Sequence, residues 1–383
     1  MFLLARLLAA FTKTGFLFLI SKAWSKSEAN EASEVLIALN LGIIISALDS
    51  GKLFYNSYFK NNCDEDSKSE YLLRLCSGLI LGCLAVFFVL YKKSFQSQAF
   101  VFCFVILINE RVFDETQRFL IAKKMFNKWS NLQIIKSILL ISISPLALIN
   151  TNKDAKIIIL CCILLMPLLI VTCFILLNHQ RSLLRTCQNT CKRFIYILKL
   201  TLSKIEPCFV CLAGSSLTIP KNLFLIIFAK EPINDFHILF SICALQSLYI
   251  FGFYIIKNRW KILQDKDANS VINTSFIANL FASSFLILVV GFFLYFLNIL
   301  SIGSLFFLPL IVLIEFLFNL NTTNRDIIFY KSSKQNLLKI DLFLMGFFTI
   351  GIITINKAYI YGLLLLVGNE GMRYLLYKNE LRK

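Results

Sequence analysis

The chain has 383 residues, 58% of them hydrophobic and 16% charged, with a formal net charge of +17 and a mean hydropathy of +0.74. Soluble globular domains run near half apolar and a quarter charged, so this composition excludes one. It also removes nucleic acid as the meaning of the positive charge: no soluble module carries a basic face, and the cations stand between apolar runs.

Apolar stretches of about the 20 residues that cross hydrocarbon as a helix recur from end to end. In chain order, spans are predicted over residues 2–20, 35–55, 71–91, 99–113, 132–149 and 157–177. A basic interval at 179–193 and an amphipathic lead-in, "FIYILKLTLSKIE", follow. Spans then resume over 207–229, 238–256, 271–297, 302–320, 337–355 and 358–377. The opening "MFLLARLLAAFTKTGFLFLI" lacks a charged lead and a small-residue cleavage site, so it reads as a retained first span.

Loop charge sets the orientation. Arg118, Lys123, Lys124 and Lys128, then Arg181, Arg185, Lys192 and Arg193, then Lys257, Arg259, Lys261 and Lys266 occupy alternate loops. Arg325, Lys331, Lys334 and Lys339 continue the series, and Lys378, Arg382 and Lys383 end it. The other loops are poorer in cations by roughly threefold, which places the rich set and both termini in the cytoplasm. The expected fold is an all-α polytopic membrane protein with about twelve transmembrane helices. Two six-helix bundles, residues 1–178 and 194–383 joined by the linker 179–193, are expected around a central cavity, as in transporters built from paired repeats.

The 12 cysteines and two histidines form no metal pattern. Cys187/Cys191 and Cys208/Cys211 have usable spacings, but no second pair or histidine stands at zinc-site distance. No metal or cofactor is expected.

Charges inside the spans carry the functional argument, because each costs on the order of 2.5–3.5 kcal/mol at mid-bilayer. Arg6 and Lys13 are about two helical turns apart on the first span. Asp49 and Lys52 stand at i,i+3 on the second. Arg111 lies in "NERVFDETQRFLIAKK", whose Glu110–Asp114–Arg118 ladder fits either a solvated helix extension or a cavity wall. Lys136, Lys221 and Glu315 lie in later spans, with Asp341, Glu370 and Arg373 beyond them. Arg118, Asp341 and Arg373 are close enough to span ends to snorkel. In "SSLTIPKNLFLIIFAKEPIND", Pro220 removes a backbone donor beside Lys221, and such irregularity survives at depth only beside protein or water. Pro220 and Pro207 are the candidate hinges; Pro145, Pro167 and Pro309 read as tolerated kinks.

Three stretches together resemble a known family. They are Asp49 with Gly51 at the end of the second span, Glu115–Arg118–Ala122 after the fourth, and Pro220–Lys221 followed by Phe236 at the opening of the eighth. The chain resembles the O-antigen and capsule repeat-unit flippases, the Wzx group of the multidrug/oligosaccharidyl-lipid/polysaccharide (MOP) exporter superfamily. It departs from them in having Asp235 where glycine is frequent and Lys221 where arginine is common. The resemblance implies two bundles opening alternately to each side of a bacterial inner membrane. It implies as cargo an undecaprenyl-pyrophosphate-linked oligosaccharide, with a polymerase and a chain-length regulator as pathway partners. Arg6, Lys13, Lys52, Arg111 and Lys221 would then neutralise the pyrophosphate. Asp49 and Glu315 are the candidates for proton or sodium coupling.

Two other readings stand beside this one. An exporter of another lipid-linked or amphipathic cargo shares the superfamily, although drug exporters of organic cations favour an acidic cavity. A membrane-embedded polysaccharide polymerase or glycosyltransferase would need a large outward loop or a catalytic domain, and the spacing of the spans leaves room for neither.

Overall fold

A computed structural model describes residues 2–47, 65–92, 97–122, 125–149, 151–203, 217–227, 233–250, 274–331, 334–355 and 359–382. Every regular element among the described residues is a helix. In chain order these are α1 (Phe2–Ala23), α2 (Lys26–Ala47), α3 (Glu65–Lys92), α4 (Ser97–Ala122) and α5 (Phe126–Ile143), the last running into a 3-10 turn at Ser144–Leu148. Next come α6 (Lys153–Lys192), α7 (Phe194–Ser203), α8 (Ile219–Ile227), α9 (Ile233–Ile250) and α10 (Thr274–Phe296). The chain closes with α11 (Ile302–Leu305), α12 (Leu308–Lys331), α13 (Lys334–Thr354) and α14 (Tyr359–Arg382).

Five stretches among the described residues are long and apolar enough to cross a membrane: Lys26–Ser46, Ser69–Tyr91, Phe126–Leu148, Asp154–Leu176 and Gln335–Thr354. The outer face of α3 shows why lipid must be the solvent. It exposes Ile80, Leu84, Phe87, Phe88 and Tyr91 along one helix, an apolar stripe that water would not tolerate. This is a multi-pass membrane protein.

Helix limits follow local chemistry more than apolar length. α2 begins at Lys26, well before its apolar run, because Ser25 and Glu28 form a capping box. The Ser25 amide donates to Glu28 Oε2 at 2.9 Å, and the Glu28 amide donates to Ser25 Oγ at 3.4 Å. α6 continues to Lys192, so the interval 179–193, expected as a linker, is almost wholly helical. "NHQRSLLRTCQNTCK" contains neither proline nor glycine to stop it. Pro145 sits in the 3-10 turn that ends α5, Pro309 in the first turn of α12, and Pro167 inside α6.

The contacts group the chain into two compact units, one of Glu34–Ser215 and one of Phe2–Ser33 with Ser216–Lys383. In the first unit α4 packs along α6, while α3 lies against α4, α6 and α7, and α5 against α6. Leu107, Cys103, Leu160, Cys161, Val86 and Leu90 are fully buried there. α2 approaches α3 backbone to backbone through Gly42 and Gly82. A Cβ on Gly82 would stand 2.6 Å from the Gly42 carbonyl oxygen and 2.8 Å from Ser46 Cβ. Small residues are what allow such approach in membranes. Gly82→Ala is therefore expected to cost about 1–3 kcal/mol through overpacking. Gly346→Ala, where nothing lies within 4 Å, should be nearly silent. Thermal melting of the detergent-purified variants tests the pair, and equal melting temperatures would show that the two backbones are not in contact.

In the second unit α12 is central, packed by α14, α9, α10 and α13. It is buried on nearly every side, as an interior helix should be. α1 and the first turns of α2, through Ser33, group with this unit and not with α3–α7. Polar ties explain the attachment. Asn234 at the start of α9 donates its side-chain amide to Ser21 at 2.8 Å, accepts from Ser33 at 3.0 Å and donates its backbone amide to Asn30 Oδ1 at 3.3 Å. Lys22 Nζ donates to the last carbonyls of the α10 end, Leu297 at 2.7 Å and Asn298 at 3.2 Å. A cation belongs at that end of a helix.

Candidate functional site

Within the second unit, α8 brings Lys221 onto α12. Its Nζ donates to Glu315 Oε1 at 2.6 Å and lies 3.9 Å from the centroid of the Phe318 ring. The carboxylate side chain is 1% exposed and the lysine 18%. The pair thus hides its anion and leaves its cation partly open. Two residues expected to act separately, one on substrate and one on a coupling ion, are direct partners. Pro220 is buried in the first turn of α8, where its missing N–H has no helical acceptor to lose. The chain before it is irregular at Leu217 and Thr218, and Asn222 Nδ2 closes over it by donating to the Thr218 carbonyl at 2.9 Å.

Lys13 on α1 is exposed and lies within electrostatic range of His237 on α9, which is 4% exposed. Arg6 falls in α1. Asp49, Lys52 and Pro207 lie outside the described residues. Aromatic rings pack around the foot of this site: Phe224 against Phe236 and Phe240, and Phe236 against Phe307 and Tyr359, at centroid separations of 5.6–5.9 Å. Asp235, where the resemblance favours glycine, anchors α11. Its Oδ2 accepts from Ser301 Oγ at 2.7 Å and Ser304 Oγ at 2.8 Å.

Further along α12 lies a second buried charge cluster. Asp341 of α13 accepts from Arg325 Nε at 2.9 Å, from Arg373 of α14 at 3.2 Å, and from the Tyr377 hydroxyl. Glu370 lies 3.6 Å from Arg373 and accepts from Asn321 Nδ2 at 2.7 Å. Asp341 and Arg373 are wholly buried, so neither snorkels. They are held because two arginines and two carboxylates neutralise one another in place. Asn369 is also fully buried, and its amide nitrogen and oxygen have no hydrogen-bond partner, nor do the side-chain oxygens of Asn319 and Asn321.

The first unit has its own ionic core. Arg111 on α4 is 0% exposed and pairs with Glu115 one turn on and with Asp114 at 3.3 Å. Tyr71 of α3 donates to Glu115, and Arg118 reaches Asp114 at 3.0 Å. Lys136 of α5 donates to both Glu110 oxygens at 2.7 and 2.8 Å and lies 4.3 Å from the Phe113 centroid. The Glu110–Arg118 ladder is therefore interior on its Arg111–Glu115 side and half-exposed at Asp114 and Arg118.

Sequence reasoning missed His237, Asn321, Arg325 and the amides of Asn319 and Asn369. "NLNTTNR" was the available signal: asparagines recur through an apolar helix, and each needs a partner there. Among the described residues, no group of three or more His, Cys, Asp or Glu could hold a metal ion.

Comparison with known proteins places the fold. No protein-family model matches the chain, and no curated protein matches it. Solved structures do. An inward-facing multidrug resistance MATE family transporter of the MOP superfamily aligns with a TM-score of 0.57 and 11% identity, over 99% of this chain and 97% of that one. An outward-facing MATE family transporter aligns at 0.55 and 12% identity, over 99% and 93%. A MATE protein in complex with MaL6 aligns at 0.55 and 13%, over 99% and 94%. The chain has the MATE-type fold of MOP-superfamily transporters.

Proposed function

We propose that the chain is a flippase that moves an undecaprenyl-pyrophosphate-linked oligosaccharide, an O-antigen or capsule repeat unit, across a bacterial inner membrane. Transport is by alternating access, coupled to a cation. A polymerase and a chain-length regulator work beside it, and the polyprenyl tail stays in the bilayer.

One observation carries the choice of an anionic cargo. In a transporter fold able to hold charged ligands, the carboxylate of Glu315 is buried and taken, while the ammonium of Lys221 is the partner left open to a ligand. An exporter of organic cations needs the opposite arrangement, a carboxylate open to its ligand. Exposed Lys13 on the same unit adds a second cation. A phosphate group gains charge-assisted hydrogen bonds from such groups in a medium of low dielectric.

The test is translocation in proteoliposomes, using a fluorescent short-chain polyprenyl-pyrophosphate oligosaccharide read out by lectin access. Wild type should move it, and Lys221→Gln or Lys13→Ala should slow it by about 10- to 100-fold, the worth of one charge-assisted hydrogen bond. Protein level should stay unchanged for Lys13→Ala; for Lys221→Gln, which leaves Glu315 buried without its cation, transport is read per amount of folded protein recovered. Transport of ethidium without transport of the pyrophosphate lipid would overturn the reading in favour of an organic-cation exporter.

A further inference from the structure

We propose that α7 is an interfacial helix that binds anionic phospholipid of the cytoplasmic leaflet. Lys192, Arg193 and Lys199 meet the phosphates, and Phe194, Ile195 and Tyr196 meet the acyl chains just below them. The elements involved all belong to the first unit, and the transported cargo has no part in the binding.

Charge is segregated here by sequence. Residues 179–205 carry six cations and no acid. α6 has its apolar stretch at Asp154–Leu176 and runs on to Lys192. Arg193 makes a turn, and α7 begins at Phe194. Loop charge assigns this end of α6 to the cytoplasmic side. α7 then packs on α3, with Ile197 fully buried.

The residues around Ile197 face away from protein. Ile195 is 71% exposed and Phe194 and Tyr196 about half, while Lys192, Arg193 and Lys199 are exposed beside them. At about 100° per residue, Lys199 falls between Ile195 and Tyr196 on the open arc of the helix. The Arg193 guanidinium lies 4.6 Å from the centroid of the Tyr196 ring. Retention of cations on the inner side asks only for their charge. It gives no reason for three large apolar side chains to stand open among them, and water would not tolerate that patch.

Both features are satisfied where hydrocarbon meets headgroups. The apolar side chains enter the acyl layer, the tyrosine sits at the boundary, and the long basic stems reach up to the phosphates. A zwitterionic headgroup offers these cations no net charge, whereas an anionic one does. Among the described residues no carboxylate pairs with Lys192 or Lys199, and Glu70 of α3 is held by Arg74. The cations of α7 are thus available to lipid.

The experiment uses the full chain in detergent with phosphatidylglycerol or phosphatidylcholine added, and retained lipid is counted by native mass spectrometry. Wild type should hold phosphatidylglycerol on the order of 100-fold more tightly at low salt, roughly fivefold for each of the three cations. Joint replacement by Lys192→Gln, Arg193→Gln and Lys199→Gln should bring that preference below about fivefold. Removal of the same charge from another inner loop, by Lys123→Gln, Lys124→Gln and Lys128→Gln, should leave it unchanged. A second measurement keeps all the cations and decides the matter even if the triple variant is not recovered. Ile195→Trp is placed in mixed liposomes of the two lipids, with one or the other carrying brominated chains. Its added emission should be quenched more by brominated phosphatidylglycerol than by brominated phosphatidylcholine at equal mole fraction. Equal quenching by the two overturns the proposal, as does a preference that the Lys123, Lys124 and Lys128 replacements remove as well. Displacement of phosphatidylglycerol by a tenth of its concentration of farnesyl pyrophosphate also overturns it, and would assign the surface to an isoprenoid pyrophosphate.

Discussion

Asp341→Ala is expected to lower the melting temperature by on the order of 10 °C and to deplete the protein from the membrane. Asp341 is shared by Arg325 at 2.9 Å and Arg373 at 3.2 Å, and it also accepts from Tyr377. All three partners lie at 1% exposure or less. Alanine would take a carboxylate from two buried guanidinium groups at once and leave the cluster with one positive charge in excess. Breaking a buried pair from one side costs about 3–5 kcal/mol, a large share of a total stability of roughly 5–15 kcal/mol. The damage should be conditional. Replacing Asp341 and Arg325 together with leucine or methionine leaves Arg373 balanced by Glu370 and should recover much of the loss. Fluorescence-detected size exclusion after heating measures all of these, and an unshifted Asp341→Ala would mean the cluster is hydrated.

The second large effect concerns Arg111, a candidate for cargo binding. Arg111→Ala is expected to fail in assembly of the first unit and not in affinity. Its guanidinium is 0% exposed and is paired with Glu115 and Asp114, and Glu115 is itself held by Tyr71 across the α3–α4 contact. Loss of the cation would leave Glu115 buried with its close ion pair gone and Arg118 at 3.8 Å, a cost of up to about 3–5 kcal/mol. Arg111→Lys keeps the charge but not the fork that serves two carboxylates, so it should fall between wild type and alanine. Headgroup binding by the surviving folded fraction separates the roles. Normal farnesyl pyrophosphate affinity in that fraction fits a structural arginine, whereas normal stability with lost affinity would return Arg111 to the cargo.

The two kinds of interior charge differ in one respect that bears on mechanism. Arg111, Arg325 and Arg373 are buried arginines, Arg111 and Arg373 with several carboxylate or hydroxyl partners and Arg325 against Asp341, which suits a permanent brace. Lys221 is a partly open lysine with one carboxylate partner at 2.6 Å, which suits exchange. Arginine's planar fork and lysine's single flexible ammonium fit those uses.

Much of the helical layout was legible in the residues. Most expected spans overlap a described helix, because apolar length is a local quantity and lipid demands internally bonded backbone. Helix ends were less legible. The Ser25–Glu28 box and the breaker-free run through Lys192 are local signals too, but apolar counting passes over polar helix. Pro220 illustrates the limit in reverse: the proline was visible, yet whether it breaks a helix or starts one depends on where the preceding turn ends.

By itself the sequence determined that this is a helical membrane protein with charges at depth, since both facts depend only on residue type and the length of uninterrupted runs. Only the tertiary structure decided what those charges do. Lys221 and Glu315 are 94 residues apart, Asp341 and Arg373 are 32 apart, and α1 with the first turns of α2 joins a unit whose remaining helices begin beyond residue 215. A buried ion's state is set by the partner that packing brings within about 3 Å, and in lipid that partner is chosen by helix faces meeting across long stretches of chain.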